Sequence, residues 1–339
     1  MNRFSLAQPT DVAGAIREIG TDPGARFIAG GTNLVDLMKY DVERPTRLVD
    51  ITRVAGLDRV EPLPDGGLRL GALTRNSDIA VDARVTSGYP LLAETILAGA
   101  SAQLRNAAST GGNLLQRTRC YYFYDTATPC NKREPGSGCP AIGGVNRLHA
   151  ILGASASCIA THPSDMCVAL AALEATVQVE GPLGARSIAF ADFHLLPGEH
   201  PERDTALSRD EIITSVDLPA PRFARHYTYL KLRDRASYAF ALVSVAAALE
   251  FDGDRIATAR IALGGVAHKP WRDPSAEAML EGKLPSVPNF ALAAERLLTG
   301  ATGHEHNAFK IELARRAIVR ALQQAADATP QQASEKRIQ

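Results

Sequence analysis

The sequence predicts an α+β protein made of two or three structural units. Three observations support this prediction. The chain has 339 residues, which is long for a single hydrophobic core. The hydrophobic period switches between helix and strand values in the first half, and strands precede helices after residue 221. With 45% hydrophobic and 22% charged residues, the composition is that of an ordinary globular protein.

The first fifty residues alternate between the two patterns. Residues 11–19 and 33–40 predict amphipathic helices, and residues 26–29 and 48–51 predict short strands. The turn Gly30-Gly31-Thr32 separates the first strand from the helix that follows it. This alternation predicts a small α/β unit.

The rest of the chain predicts a second block and a C-terminal segment. The predicted strands are residues 57–60, 67–70, 176–180, 225–233, 238–251 and 256–263. The predicted helices are residues 77–83, 91–101, 166–173, 289–298 and 308–325. Residues 117–153 are rich in Cys, Arg, Tyr, Pro and Gly, and they predict an irregular loop held by something other than an apolar core.

Charge and hydropathy exclude several classes of function. Lys plus Arg equals Asp plus Glu at 37 each, so a nucleic-acid partner is not expected. The longest apolar run, near residues 240–249, is too short to span a membrane. Residues 1–7 begin no apolar signal core, so we expect no secretory signal peptide. The chain is then cytoplasmic, or periplasmic by export together with a partner subunit.

Two glycine turns are candidate phosphate sites. Residues 27–34 read Phe-Ile-Ala-Gly-Gly-Thr-Asn-Leu, and residues 109–113 read Ser-Thr-Gly-Gly-Asn. Glycine lets the backbone approach a ligand closely, and N–H groups at a helix start favour phosphate. Two such turns predict a grip on the two halves of a pyrophosphate. Neither matches a known dinucleotide or P-loop motif, so the alternative is that they only connect elements.

All five cysteines fall between residues 120 and 167. Nine, eight and eighteen residues separate Cys120, Cys130, Cys139 and Cys158 in turn. There is no C-x-x-C knuckle of the kind that zinc sites use, and basic residues share the window. The spacing leaves an iron–sulfur cluster, a structural zinc and inert buried thiols open. Cys167 falls in a predicted helix and is interpreted as a core residue.

Four motifs taken in order resemble a known family. Residues 27–34, residues 109–113 and Pro-Ser-Asp-Met at 163–166 resemble the FAD-binding signatures of xanthine dehydrogenase and carbon monoxide dehydrogenase medium subunits. Residues 262–266 and 269–272 resemble their C-terminal domain. The cysteine window is similar to an insertion in the flavin subunit of bacterial periplasmic aldehyde oxidoreductases, which binds a [4Fe–4S] cluster.

The resemblance implies a domain plan. Residues 1–220 form an FAD-binding domain of the vanillyl-alcohol-oxidase (PCMH) type, with α/β subdomains at about 1–52 and 53–220. The cluster-binding insertion covers about 117–158. Residues 221–327 form a C-terminal domain with a three-stranded sheet and a helical bundle, and residues 328–339 form a polar tail.

The resemblance also assigns site residues. Residues 27–34 hold the pyrophosphate, Asp165 bonds ribityl or ribose hydroxyls, Ile213 packs on a ring, and Lys231 approaches the flavin edge. For Lys231 the alternative is a solvated strand lysine. The cofactor-binding set is Phe27, Ile28, Ala29, Gly30, Gly31, Thr32, Asn33, Leu34, Thr110, Gly112, Asn113, Asp165, Ile213 and Lys231. The cluster ligands are Cys120, Cys130, Cys139 and Cys158.

The implied activity is electron transfer within an aldehyde-oxidising, molybdenum-dependent heterotrimer. A large subunit carries the molybdenum cofactor, a small subunit carries [2Fe–2S] clusters, and FAD on this chain reduces an external acceptor. No residue here is expected to act on the aldehyde. The alternatives are the flavin subunit of a xanthine dehydrogenase-like or other molybdenum hydroxylase, a free-standing FAD oxidase, and a zinc-binding interaction protein.

Overall fold

The computed structural model describes residues 1–331, which form eleven strands and thirteen helices. The strands are β1 (Ser5–Ala7), β2 (Ala25–Ile28), β3 (Arg47–Asp50), β4 (Val60–Pro62), β5 (Leu68–Gly71), β6 (Thr176–Gly181), β7 (Gly184–Ala189), β8 (Ile212–Leu218), β9 (Tyr227–Leu232), β10 (Val243–Asp252) and β11 (Arg255–Gly264). The helices are α1 (Val12–Gly20), α2 (Leu34–Lys39), α3 (Asn76–Val81), α4 (Ala83–Gly88), α5 (Pro90–Ala98), α6 (Ala102–Ala107), α7 (Thr110–Leu114), α8 (Tyr121–Tyr124), α9 (Asp165–Ala172), α10 (Phe190–Phe193), α11 (Pro274–Ala278), α12 (Val287–Leu297) and α13 (Phe309–Ala326).

The N-terminal sheet is parallel, with strand order β1-β3-β2. Asp11 caps α1 by accepting a 2.7 Å hydrogen bond from the Gly14 N–H, which satisfies one of the free donors at the helix start. The buried face of α1, with Ile19, packs in one core with Val49 of β3. The α/β unit predicted from period switching is thus present, with element bounds within about two residues.

The second sheet is antiparallel, with strand order β4-β5-β8-β6-β7. Helices α5 and α9 are almost entirely apolar and belong to the largest core with this sheet. The predicted pair of strands is present as β4 with β5, although the first strand covers Val60–Pro62 rather than the predicted 57–60. Strand β8 returns from a long loop to the centre of the sheet, and the sequence pattern did not indicate it.

The C-terminal sheet is antiparallel, with strand order β11-β10-β9, and three helices accompany it. Its central strand β10 is buried on both faces, because Ala246 and Ala248 join the core of the second sheet while Val245 and Ala247 face α12 and α13. This explains why the run near residues 240–249 is continuously apolar. The predicted α+β fold with a three-stranded C-terminal sheet is confirmed.

Two local predictions were wrong. Residues 238–241 are not strand, because Tyr238 has a φ of 50° and the Arg235 side chain donates a 2.9 Å hydrogen bond to its carbonyl, which makes a tight turn. The helix predicted to reach residue 101 ends at Ala98, since Ala100 has a φ of 51°.

Residues 117–153 contain only the four-residue helix α8, in agreement with the predicted loop. Within residues 1–331, no helix is both long enough and apolar enough to cross a bilayer. The polar tail predicted at 328–339 lies outside the described residues from 332 onward.

Candidate cofactor and metal sites

The two predicted glycine turns meet at one open cleft of about 510 Å³. All eight residues 27–34 line it, and from the opposite side come Gly112 and Ile213. The turns touch directly, because Gly30 lies against the backbone of Ala107, just before the second turn. A Cβ on Gly30 would fall well inside van der Waals contact with the Ala107 carbonyl oxygen. Close packing of two backbones therefore requires glycine here.

The first turn leads into the short helix α2, whereas the second predicted turn is wrong as a turn, because its residues 110–113 form most of the short helix α7. Gly31 has a φ of 69°, a conformation that glycine adopts without strain, and α2 starts three residues later. Ser109 caps α7 by accepting a 3.3 Å hydrogen bond from the Gly112 N–H. The N–H groups of residues 110–113 are already paired with Thr74, Ala72 and Ser109, so the first turn is left to supply the backbone donors that a pyrophosphate site needs.

Asn33 has an unused donor at this cleft. Its Oδ1 accepts a 2.8 Å hydrogen bond from the Arg117 N–H, whereas its Nδ2 is buried with no hydrogen-bond partner among the described residues. A buried amide donor without a partner costs stability. A ligand oxygen in the cleft would supply the missing acceptor.

A buried network of charges joins this cleft to the cysteine loop. The Lys132 ammonium, on the loop, lies 2.5 Å from Asp204 Oδ1 and donates a 2.6 Å hydrogen bond to the Pro201 carbonyl. Arg117 bonds the other oxygen of Asp204 at 2.7 Å and Glu43 at 2.8 Å. Burial alone would raise the pKa of Asp204, but the two cations hold that pKa well below its usual range. Asp204 and Glu43 escaped sequence reasoning because they lie in distant segments that carry no local motif.

Asp165 lies at a second, smaller cavity and bonds Lys231, which is not among the residues that line that cavity. Lys231 Nζ is 2.7 Å from Asp165 Oδ2, and the Tyr229 hydroxyl donates to Asp165 Oδ1 at 2.5 Å. Burial raises the pKa of Tyr229 well above its ordinary value, and the neighbouring Asp165 carboxylate adds to the effect. Asp165 lines this small cavity, together with Gly264 and Gly265. Lys231 is buried, so it is not a solvated surface lysine.

The remaining two predicted cofactor residues support the second turn from behind. Thr110 is fully buried and donates a 3.0 Å hydrogen bond to the Thr74 carbonyl. Asn113 Oδ1 accepts a 2.6 Å hydrogen bond from the Ser164 hydroxyl. Neither residue lines the larger cleft. The geometry thus gives both a structural contact, and direct cofactor contact stays a prediction.

The four predicted ligand cysteines line one small cavity. Asn131 ties the three loops that carry them: its Oδ1 accepts from the Gly138 N–H at 2.8 Å, and its Nδ2 donates to the Ser157 carbonyl at 2.8 Å. Cys130 N–H donates to the Ser137 hydroxyl at 2.9 Å, which fixes the turn before Cys139. The local apolar cluster around this loop is small, so polar contacts hold it.

The cysteine thiols are not equivalent. Burial raises the pKa of Cys120 to about 11. A hydrogen bond between Cys139 and Cys158 lowers the pKa of Cys139 to about 6 and raises that of Cys158. Two histidines that the sequence did not indicate also reach sulfur: His149 Nε2 lies 3.1 Å from Cys120 Sγ, and His268 Nε2 lies 3.3 Å from Cys158 Sγ.

The spacing of the sulfurs bears on the kind of metal. Among the described residues, the only three His, Cys, Asp or Glu ligand atoms found within 4.8 Å of one another belong to His162, Cys167 and His194. No three of the four loop sulfurs are that close. Thiolates around a single zinc ion, at Zn–S distances of about 2.3 Å, lie roughly 4 Å apart. The loop sulfurs are therefore spaced more widely than the ligands of one zinc ion.

The His162, Cys167 and His194 group has a structural explanation. Nε2 of His194 lies 2.9 Å from the Leu114 carbonyl oxygen and Nε2 of His162 lies 3.4 Å from it, at the C-terminus of α7. Free carbonyls at a helix end need such donors. Cys167 is fully buried in α9, as the sequence predicts.

Comparison with known proteins identifies relatives along the whole chain. Residues 2–221 match the family model described as the FAD binding domain in molybdopterin dehydrogenase, and residues 226–325 match the CO dehydrogenase flavoprotein C-terminal domain. The chain is 51% identical over 326 residues to the aldehyde oxidoreductase FAD-binding subunit PaoB of Escherichia coli, covering 96% of this chain and 99% of that protein.

Solved structures share the fold. Quinoline 2-oxidoreductase from Pseudomonas putida 86 superposes with a TM-score of 0.74 at 26% identity, covering 97% of this chain and 98% of that one. Carbon monoxide dehydrogenase from Hydrogenophaga pseudoflava gives a TM-score of 0.76 at 24% identity, covering 96% and 98%. At that identity the second likeness shows the fold alone.

Proposed function

This chain belongs to the family of FAD-binding subunits of molybdopterin dehydrogenases, and we propose that it is the FAD- and [4Fe–4S]-binding subunit of a heterotrimeric, molybdenum-dependent aldehyde oxidoreductase. In this proposal electrons arrive from [2Fe–2S] clusters on a small subunit, after aldehyde oxidation on a large subunit, and leave for an external acceptor. The single observation that carries it is the presence, on one chain, of two glycine turns at one cleft and four cysteines at a separate cavity. The 51% identity to a subunit named for aldehyde oxidation supports the substrate class.

The cleft between the glycine turns fits FAD. The turn within residues 27–34 would hold the pyrophosphate through backbone N–H groups, Gly112 would face it from the opposite wall, and the unpartnered Nδ2 of Asn33 would donate to it. Ile213, at the wall of the cleft, would pack against a ring of the cofactor. FAD, when bound, supplies the capacity to accept electrons singly and to release them in pairs.

The smaller cavity would take another part of the same cofactor. Asp165 keeps its place through Lys231 and Tyr229, so its carboxylate is oriented before any ligand arrives. Such preorganisation lowers the entropic cost of binding. Asp165 would then accept hydrogen bonds from ribityl or ribose hydroxyls, and Lys231 would keep a positive charge near the flavin edge.

The cysteine cavity fits a [4Fe–4S] cluster better than it fits zinc. Its four sulfurs are arranged around a common space, yet no three of them lie within 4.8 Å of one another in the described part of the chain. Lys132, immobilised by Asp204, places a buried cation on the same loop. Such cations stabilise the net negative charge of a cluster with four thiolate ligands.

The cysteine cavity adjoins the smaller cavity that Asp165 lines. Cys120 and His149 line both the cysteine cavity and the smaller cavity with Asp165. A cluster ligand would therefore stand beside the proposed flavin site, which supports a role for the cluster as a relay or as a group that tunes the flavin.

The visible spectrum and metal content of the purified complex test this proposal. We expect flavin peaks with a broad iron–sulfur shoulder that dithionite bleaches, and bound iron on this chain after subunit separation. A colourless chain with stoichiometric zinc would overturn it, and a yellow chain without iron would remove the cluster alone. Cys130→Ser should lose iron while keeping FAD, and the matched control Cys167→Ala should keep both. Normal iron content in Cys130→Ser would refute the ligand set.

A further inference from the structure

Two histidines lie against the proposed cluster ligands. His149 Nε2 is 3.1 Å from Cys120 Sγ, and His268 Nε2 is 3.3 Å from Cys158 Sγ. Both rings are buried, with 2% and 8% of their surface exposed. His268 comes from the C-terminal domain, 110 residues from its sulfur, so tertiary structure rather than local sequence makes this contact.

The sulfur is the polar partner of each ring. Nδ1 of His149 and Nδ1 of His268 are both buried without a hydrogen-bond partner among the described residues. Histidine rings inside proteins normally satisfy at least one nitrogen, and here the contact with sulfur is the one that does so. The ring positions are therefore coupled to the cysteines rather than to a backbone carbonyl, in contrast to His194.

The chemistry of a bound sulfur fixes which group donates. A neutral imidazole carries one N–H, and a cysteine that binds iron is a thiolate without a proton, so only the ring can donate. A proton on Nδ1 would leave a buried N–H without an acceptor and would set two lone pairs against each other. The proton therefore belongs on Nε2, which gives one N–H···S hydrogen bond to Cys120 and one to Cys158.

We propose that His149 and His268 are positioning residues that raise the reduction potential of the cluster by donating N–H···S hydrogen bonds to two of its four ligands. This inference rests on the proposed function, since it requires the cluster. Reduction adds negative charge to the cluster and its sulfurs, so a donor to sulfur stabilises the reduced form more than the oxidised form.

Replacement of each histidine by leucine and by glutamine, in the complete complex, separates a donor role from a space-filling role. Leucine removes the donor, whereas glutamine keeps an N–H. A redox titration followed by electron paramagnetic resonance reads the cluster directly. We expect each leucine variant to lower the equilibrium constant for cluster reduction about tenfold, which is about 59 mV for a one-electron couple. The glutamine variants should shift it less.

A matched control is His226→Leu, because His226 bonds the backbone carbonyl of Ala325 at 3.0 Å and does not reach sulfur. It should leave the potential unchanged. Unchanged potentials in both leucine variants, with iron content normal, would overturn the inference and leave the cluster standing. Loss of iron in His149→Leu would also overturn it, because His149 would then act as a ligand. Absence of iron from the unmodified chain would instead defeat the proposed cluster itself.

Discussion

Replacing Lys132 by methionine should loosen the cysteine loop from the cofactor cleft. The Lys132 side chain is 2% exposed and its ammonium lies 2.5 Å from Asp204, which also bonds Arg117. Removing one partner of a buried ion pair typically costs about 3–5 kcal/mol. Lys132→Met leaves Asp204 paired with Arg117, so we expect the free energy of unfolding to fall by an amount near the lower end of this range, about 3 kcal/mol.

Asp204→Asn should lower the free energy of unfolding more than Lys132→Met does. It leaves the Lys132 ammonium buried with only the Pro201 carbonyl as acceptor, so we expect a loss near the upper end, about 5 kcal/mol. The double variant should lose less than the sum of the single losses, because each change removes the same interaction. The exposed pair of Arg147 with Asp234 provides a control, and Asp234→Asn should change stability by less than about 1 kcal/mol.

The sign of the pH dependence follows from the lowered pKa of Asp204. In the unfolded chain a carboxyl of this type titrates near pH 3.9, roughly. Asp204 therefore stabilises the fold fully above that pH, and its contribution is lost as the pH falls further towards its folded pKa. The stabilities of the unmodified chain and Asp204→Asn should converge below about pH 4.

Urea unfolding followed by tryptophan and flavin signals, at fixed cofactor concentration, measures these differences. The flavin signal should also be lost at lower urea in Lys132→Met, because Arg117 touches Asn33 in the cleft. The reasoning fails if Lys132→Met costs no more than Asp234→Asn, or if the single losses simply add.

Three further changes test the cofactor cleft. Gly30→Ala should destabilise the chain and abolish FAD binding, because the added methyl group collides with backbone. The control Gly143→Ala places its methyl group in open space and should retain both FAD and stability. Equal FAD content in the two variants would contradict this prediction. Asn33→Asp replaces a hydrogen-bond donor with an anion where phosphate is expected. It should weaken FAD binding at least tenfold, as measured by equilibrium dialysis. An unchanged affinity for FAD would show that Asn33 does not contact the cofactor. Lys231→Met leaves the Asp165 carboxylate buried and should cost about 3–5 kcal/mol, and an unshifted absorption spectrum of bound flavin would show that Lys231 does not act on the flavin.

The features that were predicted from the sequence are those encoded by local patterns of residues. Residues 27–34 are contiguous, so their strand, turn and helix are visible in the sequence, and the structure brings all of them to the cleft. The cysteines cluster within one window, and they line one cavity. The helix α1 was found because its cap and its apolar face lie within ten residues.

What escaped prediction depends on contacts between distant segments. Asp204 meets Lys132 across 72 residues, and His268 meets Cys158 across 110. Neither residue sits in a pattern that sets it apart from other exposed-looking polar residues. The strand prediction was wrong at residues 238–241 because their apolar side chains look like a continuation of the β10 pattern. The direction of the chain there is set instead by the contact from Arg235.

The doubly buried strand β10 has a consequence for how this protein can be divided. The two family models meet near residues 221–226, which suggests that the chain could be divided there for separate expression of its two halves. Yet Ala246, Ala248 and Ala262 complete the hydrophobic core of the preceding domain, while their neighbours complete the core of their own. Separate expression of either half would leave one wall of a core facing water. The boundary between the two family models is therefore not a boundary between hydrophobic cores, because the C-terminal sheet contributes side chains to both.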